Sequence, residues 1–81
     1  MARGTATLRR GARGAVTAFD ERTGLGEVTS TEGTVSAFHA TAVADGSRRI
    51  DVGTEVVYDV VAGHMGRWEA DGIRAPSHPL L

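Results

Sequence analysis

The close spacing of turn residues is the feature of this sequence that most constrains its fold. From Ala15 onward, short runs rich in Val, Thr and other β-forming residues alternate with turns that contain Gly or Asp-Gly. No stretch sustains the periodicity of an amphipathic helix. Short β-rich runs between frequent turns are typical of a small barrel or sandwich. With 81 residues, the chain can hold one such core and no second domain.

Five strands are predicted from the apolar alternation and the turns, over residues 15–20, 25–30, 34–39, 55–62 and 67–74. Tight hairpins join the first three strands, and a long connection precedes the fourth. This spacing predicts an all-β fold, a five-stranded antiparallel Greek-key barrel of the OB type. The side chains expected to face its core are Val16, Val28, Phe38, Val56, Tyr58, Val60, Ala70 and Ile73.

The charge is distributed unevenly along the chain. Residues 1–14 carry a net charge of +4 from Arg3, Arg9, Arg10 and Arg13, whereas the rest carries −5. The same fourteen residues contain several Gly and almost no large apolar side chain, so they are expected to form a flexible basic arm. The barrel domain is expected over residues 15–75, followed by a loose tail over 76–81. Local positive charge of this kind is what phosphate binding requires.

Several function classes have no support in the sequence. The absence of Cys excludes disulfides and thiolate metal sites, and the three His residues lack the spacing of a metal site. We find no nucleophile beside a base and no phosphate-cradling motif, so we expect no enzymatic activity, cofactor or metal. No apolar run is long enough for a membrane span or a secretory signal, which predicts a soluble cytoplasmic protein without a membrane partner.

Five segments carry a family likeness in their order and spacing. Residues 14–20 (GAVTAFD) and 23–28 (TGLGEV) stand where one family has G-x-V-K-W-F-N and K-G-F-G-F-I. Residues 36–43 (SAFHATAV) match its V-F-V-H-F-S-A-I, residues 53–60 (GTEVVYDV) its G-x-x-V-x-F-x-V, and residues 69–73 (EADGI) its Q-A-x-N-V. The sequence thus resembles the bacterial cold-shock domain over most of the chain. That resemblance implies a cold-shock-type barrel that binds single-stranded DNA or RNA by stacking bases on aromatic side chains.

Most of those aromatic side chains are replaced here. The positions where the family has stacking aromatics hold Ala18, Leu25, Glu27, Ala37, Ala40 and Ser47. Phe19 and His39 remain from the set. Stacking on an aromatic is worth about 1–3 kcal/mol per base, so these losses predict much weaker binding.

The candidate contacts each have a plainer interpretation. His39 is predicted either to stack on a base or to be a half-exposed strand residue, and Phe19 either to contact a ligand or to pack. Leu25, at a position where the family has a stacking Phe, is also a candidate contact. Arg48 and Arg49 of the long loop, with the arm residues Arg9, Arg10 and Arg13, are candidates for phosphate contacts or are simply solvated. The single Trp, at position 68, is predicted to be partly buried.

Two functions follow from this pattern. The first is weak, sequence-tolerant binding of single-stranded RNA or DNA, which the family resemblance and the basic arm favour. The alternative is a protein-interaction or self-association module on the same fold, which the acidic body and the lost aromatics favour.

Overall fold

The computed structural model describes residues 7–63 and 66–76. The described residues form five β-strands and one short turn of 3-10 helix. The strands are β1 (Thr7–Asp20), β2 (Leu25–Ser30), β3 (Val35–His39), β4 (Glu55–Ala62) and β5 (Trp68–Arg74), and the helical turn is Ala40–Ala42. The predicted bounds of the second and fourth strands are confirmed, and the third and fifth strands each begin one residue later than predicted.

The strands close into a barrel in the order β1-β2-β3-β5-β4, with β4 returning to pair with β1. All neighbouring strands are antiparallel except β3 and β5, which are parallel through Ala37 and Glu69. Closure through this one parallel contact gives the five-stranded Greek-key arrangement of the OB type, so the predicted fold is confirmed.

The first strand differs from the prediction. It begins at Thr7 rather than Ala15, so the prediction of a flexible arm is wrong for residues 7–14. These residues pair with β4, and Ala12 is buried opposite Tyr58. Hydrogen bonds of the ladder hold this stretch although it has few large apolar side chains. Residues 1–6 of the predicted arm and residues 77–81 of the predicted tail lie outside the described residues.

The barrel interior contains the predicted core residues. Seven of the eight predicted side chains are buried, and Val60 is partly buried against them. Ala12 and Val43 complete the cluster. Strand alternation therefore identified the inner face correctly, because each inward residue lies two positions from the next along a regular strand.

A bulge in β1 decides where Phe19 points. The register between β1 and β2 shifts between Val16 and Ala18, which leaves Thr17 as the extra residue of the bulge. The shift turns Phe19 toward the barrel interior. Its ring lies 5.9 Å from that of Phe38, and the two rings are within 5° of parallel. Of the two interpretations of Phe19, the structure supports packing.

Trp68 is more exposed than predicted. Its side chain is 51 % exposed at the start of β5, although β5 places it on the same side as the buried Ala70. Leu8, at the start of β1, is exposed to a similar extent.

Candidate functional site

A row of small and acidic side chains crosses the outer face of the barrel. Ala18 of β1 pairs with Glu27 of β2, which in turn pairs with Ala37 of β3. Ala37 pairs with Glu69 of β5, so four strands contribute one residue each. Two carboxylates therefore alternate with two methyl groups along the row, and the alanines leave open space between the acids.

The next row holds the apolar and aromatic surface of this face. Leu25 pairs with His39 across β2 and β3, and Leu25 is 58 % exposed. Together with the edge of Phe38 and the side chain of Arg67, the two rows line an open groove of about 500 Å³. Cross-strand pairs of this kind lie within contact distance, so a planar ligand group placed in the groove can touch Leu25 and His39 at once.

The His39 ring is held in a fixed orientation. Its Nδ1 accepts a hydrogen bond from the backbone N–H of Thr41 at 3.2 Å and lies 3.1 Å from the Thr41 hydroxyl. Since Nδ1 is an acceptor, the neutral ring carries its proton on Nε2, which lies beside Gly24 of the β1–β2 turn. A ring already fixed loses little side-chain entropy when a base stacks on it.

The two loop arginines lie near the same end of the barrel. Arg49 forms an ion pair at 3.2 Å with Glu21, in the turn between β1 and β2 that also approaches His39. Arg48 is exposed with a left-handed backbone, φ +61°. An exposed ion pair contributes little free energy, so the Arg49 guanidinium can exchange Glu21 for a phosphate at little cost.

A carboxylate opposes the charge of this loop. The backbone N–H of Ser47 donates a hydrogen bond of 2.8 Å to Asp45, and this bond lowers the pKa of the Asp45 carboxyl. Asp45 is therefore ionised at neutral pH and offsets part of the positive charge of Arg48 and Arg49.

The remaining three candidate arginines are not brought to the groove. Arg9, Arg10 and Arg13 lie on the first half of β1, and Arg9 forms an ion pair with Glu32 at 3.0 Å. Arg13 lies five positions before Ala18 of the groove along β1, a distance of roughly 16 Å. The structure thus separates the basic part of β1 from Leu25 and His39.

Sequence reasoning missed Arg67 and Glu69 as groove residues. Both belong to the end of the chain, and they reach the groove only because β5 pairs with β3 in parallel. The outward position of Glu69 could have been inferred from its place beside Ala70, which was expected in the core. The pairing of β5 with β3 could not have been inferred, since a single parallel pairing leaves no local signal in the sequence.

Neither a family model nor a curated protein matches the sequence. Within residues 7–63 and 66–76, no three His or carboxylate side chains gather closely enough to hold a metal ion. The same residues contain no helix that is long and apolar enough to cross a membrane.

Proposed function

We propose that this barrel binds single-stranded RNA or DNA weakly and without sequence preference, through the groove over β2 and β3. The observation that carries the proposal is the direct pairing of exposed Leu25 with the fixed ring of His39 inside an open groove. Cold-shock domains, which the sequence resembles, stack bases on the corresponding strands. Arg67 in the groove and the nearby Arg48 and Arg49 supply positive charge for the phosphates.

The same face explains why binding is weak. Ala18 and Ala37 offer no stacking surface, so few bases gain the roughly 1–3 kcal/mol that an aromatic provides. Glu27 and Glu69 place two carboxylates in the groove, and a phosphate chain laid over them meets like charge.

The test is to rebuild the stacking surface. A Leu25→Phe, Glu27→Phe, Ala37→Phe variant restores three aromatic positions and removes one carboxylate. All three side chains point outward, so the fold should be retained. At roughly 1 kcal/mol per restored stack, affinity for a fluorescent single-stranded oligonucleotide should rise about a hundredfold in anisotropy titrations at low and moderate salt.

The matched control adds an exposed ring elsewhere. Val52 is 61 % exposed in the turn before β4 and lies outside the groove, so Val52→Phe should leave the affinity unchanged. If the triple variant folds and binds no more tightly than the parent, the nucleic-acid proposal is wrong. If Val52→Phe gains as much as the triple variant, the gain reflects general stickiness and the groove assignment fails.

Self-association is the second candidate function, and the carboxylates of Glu27 and Glu69 are the observation that favours it. The first half of β1 in another copy, with Arg10 and Arg13 exposed, offers a complementary positive surface. This hypothesis predicts that the sedimentation coefficient rises with protein concentration at low salt. Replacing Glu27 and Glu69 with Gln should remove that rise, whereas the nucleic-acid proposal predicts that the same changes strengthen oligonucleotide binding.

A further inference from the structure

A second cavity lies at one end of the barrel, where β1 and β5 begin. It has a volume of about 240 Å³, and its walls include the apolar side chains of Leu8, Val60 and Trp68. Leu8 and Trp68 are 47 % and 51 % exposed, so neither is held by dense packing. The cavity is therefore a mainly apolar space that opens to solvent beside two exposed side chains, distinct from the groove on the outer face.

Two buried hydroxyl groups border this cavity. Ser36 of β3 and Tyr58 of β4 line it, and both side chains point into the barrel with almost no exposure. Neither the Ser36 Oγ nor the Tyr58 hydroxyl has a hydrogen-bond partner among the described residues. An unpaired buried hydroxyl is unfavourable, and Ala or Phe would fill the same space without that penalty. Two such groups beside one cavity point to a partner beyond the described residues.

We propose that this cavity binds a small neutral aromatic molecule that carries one hydroxyl or amide group. The ring would lie against Trp68, Leu8 and Val60, and its polar group would exchange hydrogen bonds with Ser36 and Tyr58. A cavity of 150 Å³ is enough for benzene, so about 240 Å³ accommodates a ring with one polar substituent.

The charges at the rim favour a neutral ligand. Arg9 also lines the cavity, but its guanidinium is paired with Glu32 at 3.0 Å, and both residues lie at the rim. Burial raises the pKa of the Tyr58 phenol, with Arg9 opposing this in part, so the hydroxyl stays protonated at neutral pH and is able to donate. A ligand group that both donates and accepts suits two hydroxyls better than an ion does.

This site is separate from the proposed nucleic-acid groove. Ser36 and Ala37 are neighbours on β3 and point to opposite sides of the barrel wall, Ser36 toward the cavity and Ala37 toward the groove. Occupying the cavity should therefore leave oligonucleotide affinity unchanged, and either proposal can fail without the other.

The experiment compares two probes of the same shape, benzyl alcohol and ethylbenzene, which differ by a hydroxyl in place of a methyl group. Binding is followed by the fluorescence of Trp68, the only Trp in the chain, and by NMR shifts of the Ser36 and Tyr58 amides. We expect benzyl alcohol to bind at least about tenfold more tightly than ethylbenzene. In a Ser36→Ala, Tyr58→Phe variant this preference should disappear or reverse.

Thermal unfolding and a control variant make the result decisive. The double variant should melt no lower than the parent, since it removes only unpaired hydroxyls. Thr29→Val removes a hydroxyl on the outer face and should leave the preference for benzyl alcohol intact. The proposal is overturned if neither probe binds, if both bind the parent equally, or if the double variant melts much lower, which would show that the hydroxyls already have partners within the protein.

Discussion

Gly26 and Glu27 are neighbours on β2 that face opposite sides of the barrel wall, and different constraints act on them. A Cβ on Gly26 would come within 2.5 Å of the Phe38 ring, so a larger residue would displace the stacked Phe19–Phe38 pair. Glu27 is exposed and has space around it. Gly26 is therefore fixed by packing, whereas the side chain at position 27 can change without loss of the fold.

The titration of the Tyr58 phenol gives a prediction about stability at high pH. The chain has one Tyr and neither Cys nor Lys, so Tyr58 is the one side chain expected to titrate between about pH 9 and 12. Burial raises the pKa of Tyr58 in the folded state. The unfolded chain therefore releases this proton first, and stability is complete below about pH 10 and falls as the pH rises above it.

Two measurements check the prediction for Tyr58. Tyrosinate absorbance at 295 nm should appear in the native protein at higher pH than in urea, and the urea midpoint should be lower at pH 10.5 than at pH 8.5. In Tyr58→Phe the midpoint should be the same at both pH values. Tyrosinate formation near pH 10 in the native protein would show that the phenol is not buried.

At the scale of elements, the sequence was sufficient where a strand alternates regularly. The β4 bounds were predicted correctly because Val56, Tyr58 and Val60 mark one face of an extended run. The first half of β1 was missed because its only inward anchor is Ala12, and its order depends on pairing with β4, which is distant in sequence. The groove was predicted in part, from Leu25 and His39, while the residues that β5 contributes depend on barrel closure.

The length of β1 leads to a prediction about truncation. Deleting residues 1–6 leaves all described strands intact and should not change the urea midpoint. Deleting residues 1–14 also removes Ala12 and most of the β1–β4 ladder. At roughly 1 kcal/mol per lost hydrogen bond, the second deletion should lower the free energy of unfolding by about 3 kcal/mol or more. Equal midpoints for the two truncated proteins would mean that residues 7–14 do not belong to the barrel.

At the scale of the whole molecule, the groove and the basic half of β1 form two separate regions of one surface. The groove contains Arg67 together with two carboxylates, so a short oligonucleotide bound there meets a slight net negative charge. Arg10 and Arg13 are exposed about five residues or more along β1 from Ala18. Only an oligonucleotide that extends beyond the groove can place its phosphates near Arg10 and Arg13.

Oligonucleotide length should therefore control the salt dependence of binding. Each phosphate neutralised on a single strand contributes about 0.7 to the slope of log affinity against log salt. If Arg10 and Arg13 each contact one phosphate, a twelve-nucleotide oligonucleotide should show a slope steeper by about 1.4 than a four-nucleotide one. Both lengths lie within the usual range for one OB fold.

Replacing both arginines, as Arg10→Gln with Arg13→Gln, should remove this difference and leave the four-nucleotide slope unchanged. Arg22→Gln removes one positive charge from the turn that follows β1 and is the control, because it should leave the difference between the two slopes intact. Equal slopes for the two lengths in the parent protein would place all phosphate contacts at the groove, because a longer strand would then gain no contact with β1.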